Sequence, residues 1–205
     1  MKWLERYHAA RVHTRRVRVL AATAARLLSP GLTVLDVGCG DGLLAATLGK
    51  LRPDLTLTGV ELVPRPGCLI PVTAFDGRHL PFADGQFDVV LIVDVLHHTT
   101  EPAGLLHEAA RVAKTAVLLK DHLREGWGAQ TTLRLMDDVG NRRHEVALPY
   151  NYLSQAEWHG VFVACGLVAE ETDSLRSLYP FPARLVFGRE LHFFSRLRPV
   201  ARGQG

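Results

Sequence analysis

Thr33-Val-Leu-Asp-Val-Gly-Cys-Gly-Asp-Gly-Leu-Leu-Ala-Ala-Thr47 is the stretch that decides the fold of this chain. Its first five residues read as a buried strand, three alternate glycines (Gly38, Gly40 and Gly42) close it, and a helical pattern follows at once. Glycines at these places remove the side chains that hold a ligand off the backbone, and they permit the positive φ values of a tight strand-to-helix turn. The N–H groups that open the helix face whatever lies above the turn. The stretch therefore predicts a small-molecule pocket at a strand end.

Outward from it, short apolar runs alternate with helical patterns, the signature of a parallel sheet with crossover helices. Strands are predicted over 33–37, 56–61, 69–74, 87–94 and 115–120, and helices over 42–51 and 101–113. Val89-Val-Leu-Ile-Val93 is apolar at every position, as a strand covered on both faces should be. Thr99 or Thr100 is placed to cap the second helix, with Pro102 in its first turn. From Lys120 to Leu153 no clean period survives, and residues 121–153 read as an insertion. Ser154 and Glu157 stand in capping-box spacing at the start of a further helix, which Gly166 ends. Residues 168–175 and 190–197 then suggest an antiparallel pair at the sheet edge; Tyr179-Pro-Phe-Pro182 between them is a stiff loop over the pocket or a surface turn.

The 205 residues suit one domain, which buries roughly 70% of its unfolded surface and needs no staples. No run reaches the ~18 apolar residues of a membrane span, and the Arg-rich start lacks the apolar core of a secretory signal. A cytoplasmic location is expected. Three scattered cysteines (Cys39, Cys68 and Cys165) fit reduced thiols better than a disulfide set or a zinc site. The charge of +3 comes largely from an opening helical segment, residues 1–30, that carries Lys2, Arg6, Arg11, Arg15, Arg16, Arg18 and Arg26. Its apolar stripe of Leu4, Val12, Val17, Leu20, Ala24, Leu27 and Leu28 favours a solvated arginine face on a packed helix. A nucleic-acid surface is not expected, because no aromatic interleaving or recognised module accompanies the charge.

In an open α/β sheet, ligands lie beyond the carboxyl ends of the strands where strand order reverses. Glu61 ends the second strand nineteen residues after Gly42, and a carboxylate there accepts hydrogen bonds from both ribose hydroxyls. Gly40 to Ala45 also matches the G-x-G-x-x-A form of a dinucleotide fingerprint. The register disfavours it: counted from Gly38, the sixth position is Leu43, where a small residue is wanted, and Asp36 and Asp41 repel a pyrophosphate. A ligand with a cationic centre and an ammonium group suits these carboxylates better.

These residues resemble the class I S-adenosylmethionine-dependent methyltransferases, in particular the small-molecule group that includes the ubiquinone and menaquinone methyltransferases. The resemblance covers roughly residues 30–120. Val34 to Gly42 is similar to the family's first motif and Gly59-Val-Glu61 to its ribose-binding acid. Phe75-Asp-Gly77, with Leu80-Pro-Phe82 and Phe87-Asp88, resembles the adenine-holding region, and Val93-Asp-Val-Leu-His-His98 the segment beside the methyl group. The implied fold class is α/β: a Rossmann-like, doubly wound, mostly parallel seven-stranded sheet with an antiparallel edge strand. The implied cofactor is S-adenosylmethionine and the implied reaction methyl transfer to a small-molecule acceptor. A non-methylating reaction on the same cofactor, or a non-catalytic binding role, stays open.

By the same resemblance, Gly38, Gly40 and Gly42 make room for the methionine and ribose, Asp36 orients the turn and the amino end, and Glu61 clamps the ribose. Asp76 meets the adenine edge beside Gly77, Leu62 packs on the ring, and Asp94 sits near the methyl end. Cys39 is a packing residue, since no base stands beside it. Four further candidates, His97, His98, Asp121 and His122, lie at strand ends facing the pocket mouth. Histidine is the best base near neutral pH. His122 is the distinctive one, with Asp121 to orient it or another imidazole, and His98 is catalytic or structural. No metal site is expected, because the spacing of Asp94, Asp121, Asn141 and the histidines does not establish one. Residues 121–152, with Trp127, Met136-Asp-Asp138, His144 and Pro149-Tyr-Asn-Tyr152, build an acceptor pocket or a structural lid. Arg15 or Arg16 of the opening helix is expected to meet a carboxylate.

Overall fold

A computed structural model describes residues 2–141, 149–175, 178–181 and 183–200, with the side chains of 2–11 and 139–141 outside the description. The chain opens with α1 (Lys2–Leu27) and then alternates: β1 (Thr33–Val37), α2 (Leu43–Leu51), β2 (Thr56–Glu61), β3 (Val72–Ala74), β4 (Phe87–Val93), α3 (Pro102–Val112) and β5 (Ala113–His122). It ends with α4 (Ala129–Asn141), α5 (Gln155–Ala164), β6 (Leu167–Asp173), α6 (Ala183–Phe187) and β7 (His192–Pro199). Seven strands form one sheet in the order β3-β2-β1-β4-β5-β7-β6. The first five are parallel; β7 runs antiparallel to both β5 and β6. The expected fold class is therefore present, and within the terminal pair the reversed strand is the inner one.

Side chains alternate along the central strands between two cores, as the period of two requires. Val34, Val89, Leu91, Ala116 and Leu118 pack with α1 and α2 through Leu20, Ala24, Leu27 and Leu48. Leu35, Val37, Val90, Ile92, Val117 and Leu119 pack on the other face with Leu106, Ala109, Trp158 and Phe162 of α3 and α5. At the amino ends, Asp88 accepts from the N–H and hydroxyl of Thr33 (2.8 and 2.7 Å) and from Lys114 (3.1 Å), which pins β1, β4 and β5 in register. Their carboxyl ends consequently finish level, at the switch point between β1 and β4 where a ligand site belongs.

Three expectations change. The third strand begins at Val72 rather than residue 69, because Pro71 has no N–H to donate and Leu69 turns aside to bond Asp41 O (2.9 Å). α3 is not capped by a threonine; Glu101 precedes Pro102, and Thr99 bonds back to Leu96 O (2.8 Å) within a 3₁₀ turn over Leu96–His98. The segment after residue 120 holds two more residues of β5 and then α4, a helix the sequence reading missed. The capping box at Ser154 and Glu157 is present, and Gly166 (φ 64°) follows the helix end.

Trp158 holds the site's edge of the sheet. It is 3% exposed, packs edge-on against Phe193, and donates its indole N–H to His122 O (3.0 Å). Trp158→Ala is expected to cost about 3–5 kcal/mol in urea denaturation, whereas Trp158→Phe, which keeps the packing and loses one hydrogen bond, costs about 1 kcal/mol.

Candidate functional site

The glycine turn takes the conformation that its residues require. Gly38, Gly40 and Gly42 have φ of 70°, 59° and 77°. Gly38 and Cys39 both donate to Val60 O (2.9 and 3.1 Å), fastening the turn to β2, and Asp41 Oδ1 accepts the Leu43 N–H (3.0 Å) to begin α2. From the end of β2, Glu61 Oε2 accepts the Gly40 N–H (2.7 Å) and Oε1 accepts from Leu62 N (2.9 Å). Each carboxylate oxygen keeps a second lone pair for a ligand. Cys39 packs under the turn against Gly59, and burial pushes its thiol pKa far above the usual range.

Beside the turn lies a cleft of ≈ 170 Å³. Asp36, Gly38, Asp41 and Asp94 line it from the sheet, and His13 and Arg16 from α1. Asp36 is 3% exposed, and its Oδ2 has no hydrogen-bond partner. Burial, and then the nearby Glu61 charge, raise its pKa to about 7. Leu62 reaches over Gly77, where an added Cβ would stand 2.8 Å from Leu62 Cδ2. Asp76 organises the next turn: its Oδ1 accepts from His79 N (2.7 Å) and Arg78 N (2.8 Å), and these bonds hold its pKa at about 2.

A second group of polar side chains meets at the ends of β4, β5 and β7. Asp94 has φ 57°, a conformation side chains rarely adopt, and is gripped by Arg16 Nη2 (2.8 Å) from α1 and by the fully buried Lys120. Asp121 does not orient His122, to which it gives only a bond to the backbone N–H. Adjacent strand residues point to opposite faces, so its Oδ1 reaches His97 Nδ1 (2.6 Å) and its Oδ2 the Leu96 N–H (3.0 Å). Burial pushes the His97 imidazole pKa down, but Asp121 outweighs it and the net shift is upward.

His122 is 3% exposed, and burial followed by the His97 and Lys120 charges lowers its pKa to about 4. Its Nδ1 lies 3.1 Å from Nδ1 of His192, which β7 pairs directly opposite. Asp137 of α4 faces both His97 and His122 and accepts the Tyr152 hydroxyl (2.5 Å). His98 is half-buried, its Nδ1 has no partner, and burial and His97 lower its pKa.

Every candidate thus lies along the carboxyl edge of the sheet. Lys120 and His192 were missed; the signal for Lys120 was a charge inside an otherwise apolar strand. Among the earlier metal candidates, Asp94, His97 and His122 come together, whereas the Asn141 side chain and His144 fall outside the described residues. Tyr179 is buried beside His192 and Phe181 is exposed, so the loop has one end in the core; Pro182 lies outside the described residues.

Residues 35–119, from β1 through most of β5, match the family described as a methyltransferase domain. Over this stretch the chain is similar to that family. It is 40% identical over 91 residues to an uncharacterized methyltransferase of Mycobacterium sp. (strain JLS), covering 41% of this chain and 35% of that relative. It is 24% identical over 151 residues to a ubiquinone biosynthesis O-methyltransferase of Colwellia psychrerythraea, covering 63% and 61%. The chain therefore spans roughly one to two thirds of the curated relatives it matches. The fold superposes with a TM-score of 0.64 on the Burkholderia thailandensis 1,6-didemethyltoxoflavin N1-methyltransferase, solved with its substrate and S-adenosylhomocysteine. That pair shares 18% identity over 97% of this chain and 86% of the other.

The turn glycines differ in what they exclude. A Cβ on Gly38 would lie 2.6 Å from Val95 Cγ2, whereas one on Gly40 meets nothing within 4 Å. Gly40→Ala should cost about 1 kcal/mol for its positive φ alone. Gly38→Ala should cost at least about 2 kcal/mol, the clash adding to that strain. Equal losses in chemical denaturation contradict the assignment.

Proposed function

We propose that the protein is an enzyme that transfers the methyl group of S-adenosylmethionine to a small-molecule acceptor. One observation carries the reading: an unpartnered, buried carboxylate oxygen of Asp36 belongs to the wall of the cleft that the glycine turn opens, with Glu61 gripping the same turn. A pyrophosphate there would meet Asp36, Asp41 and Glu61. A ligand with an ammonium group and a ribose diol turns the same carboxylates into partners. The methyltransferase-domain match and the fold shared with a relative holding S-adenosylhomocysteine support this choice.

On this reading Asp36, Gly38, Gly40 and Gly42 surround the amino-acid half and Glu61 takes the ribose. Leu62, Asp76 and Gly77 frame the adenine, and Asp94 stands toward the methyl end. The reaction is an in-line displacement driven by the sulfonium, so the chain's own task is to align the acceptor and exclude water. Residues 121–153, as an insertion within a single domain spanning 1–205, supply the acceptor's surroundings. Tyr150 and Tyr152 give aromatic walls, and the ubiquinone-type relative suggests an aromatic hydroxyl as acceptor.

Of the catalytic candidates, His97 and His122 are almost wholly buried and Asp121 is committed to His97. His98 is half-buried, and although its unpartnered Nδ1 is itself buried, its ring is the least enclosed of the three, so this reading assigns it the acceptor's proton. Three free cysteines favour a cytoplasmic setting; no described helix is long and apolar enough to cross a membrane.

The Asp36 pKa of about 7 gives the cofactor reading a pH signature. Below pH 7 the free protein holds this carboxyl protonated, while an ammonium ligand selects the ionised form. Affinity for S-adenosylhomocysteine should therefore rise with pH through about 7, and binding below that pH should release a proton. Calorimetry in buffers of different ionisation enthalpy reads both, and Asp36→Asn should flatten the profile. For transfer itself, His98→Ala should lower kcat by roughly 10²–10⁴-fold with cofactor affinity unchanged. Near-normal turnover removes His98 from the mechanism.

A further inference from the structure

Two of the three cysteines meet at the glycine turn. Cys39 lies inside it, 8% exposed, with its sulfur over β2: a Cβ on Gly59 would stand 2.5 Å from Cys39 Sγ. Cys68 comes from the loop between β2 and β3, is partly exposed, and lays its sulfur against the same turn. A Cβ on Gly42 would stand 3.0 Å from Cys68 Sγ, and Gly40 O is 4.0 Å from it. The backbones touch as well, since Leu69 N donates to Asp41 O (2.9 Å) and Gly42 N to Cys39 O (2.9 Å). Ile70 reaches both places, with side-chain atoms 3.0 Å from the Cβ positions of Gly42 and of Gly59. Both cysteines are free, and the Cys68 thiol is a side-chain hydrogen-bonding neighbour of Cys39.

Their surroundings give the two sulfurs different tasks. The thiolate, not the thiol, attacks an oxidant, so reactivity follows charge and access. Burial, and then the Asp36 charge, hold the Cys39 thiol protonated. Cys68 has exposed surface, and hydrogen peroxide reaches it first. Its thiolate attacks the O–O bond, which leaves Cys68 as a sulfenic acid and releases one water. The Cys39 sulfur then attacks the Cys68 sulfur: an S–S bond forms, the S–O bond breaks, and the departing hydroxide takes the Cys39 proton and leaves as a second water. Two thiols and one peroxide thus give one disulfide and two waters, with two electrons passing from sulfur to peroxide. Cys165 is placed differently, buried in the core with Trp158 and Phe162 and lying 3.3 Å from Ala103 O.

We propose that Cys39 and Cys68 form a peroxide-responsive dithiol whose disulfide ties the glycine turn to the β2–β3 loop and lowers affinity for the cofactor. Disulfide sulfurs stand about 2.05 Å apart, so at least one of the two must leave its present contacts. Cys39 lies between Gly38 and Gly40, and Glu61, which leads into the loop, accepts the Gly40 N–H. Movement of either sulfur therefore displaces groups that face the cleft. A bond of this kind is transient and reversed by thiols, the usual character of disulfides in reducing compartments. The cross-link stands on the two sulfurs alone; its effect on affinity rests on the proposed S-adenosylmethionine reading.

The test treats the full chain with hydrogen peroxide, blocks the remaining thiols and digests it with trypsin without reduction. Mass spectrometry should find one cross-linked pair, residues 27–50 with residues 51–78, that a thiol reductant separates, while Cys165 stays open to alkylation after unfolding. Cys39→Ala should leave Cys68 as a sulfenic acid that a cyclic dione traps, and Cys68→Ala should leave Cys39 a thiol at the same dose. Calorimetry should show S-adenosylhomocysteine affinity about tenfold lower in the oxidised wild type, restored on reduction, and unaffected by peroxide in Cys68→Ala. Free thiols at both positions after treatment, or Cys68 carried to the sulfinic acid with no cross-link, overturns the proposal. So does a cross-linked protein that binds S-adenosylhomocysteine as the reduced one does. A reduced wild type that binds none strikes the cofactor reading instead, and the masses alone then decide the cross-link.

Discussion

The ion pairs of Asp94 hold the functional edge of this protein together. Its carboxylate ends β4 in a strained backbone conformation and is gripped by Arg16 from α1 and Lys120 from β5. Lys120 has no exposed surface, and removing one partner of such a buried pair typically costs about 3–5 kcal/mol because the remaining charge is stranded. The contact fixes where the opening helix lies over the cleft, how β4 leaves the sheet, and where the 3₁₀ turn carrying His97 and His98 begins. A strained residue held by charges at a strand end is a place where stability serves geometry.

The site follows from two features of the architecture. Parallel strands pinned at their amino ends by Asp88 finish level, so the glycine turn, Glu61, Asp94 and His122 share one edge. The reversed β7 then brings its first residue, His192, to the same edge opposite His122. The first half of the edge is open and acidic; the second is buried and mixed in charge.

Legibility divides along the same line. Gly38 to Gly42 and Glu61 were readable because their roles are local: a turn needing positive φ and an acid at a fixed distance. The pairing of Asp121 with His97 was not, since it depends on which face of β5 each side chain takes. His192 belongs to the site only through the inserted antiparallel register. α4 escaped detection for a physical reason: its buried stripe is Ala129, Leu133 and Asp137, and the carboxylate that completes the helical period reads as a polar break.

Binding of S-adenosylmethionine beside the glycine turn and transfer of its methyl group are tested most directly by incubating the protein with S-adenosylmethionine labelled in its methyl group and a small-molecule extract. The account predicts label in a discrete small-molecule product, together with an equal amount of S-adenosylhomocysteine. Product formed without demethylation of the cofactor, or a nicotinamide dinucleotide bound in place of S-adenosylmethionine, would contradict it.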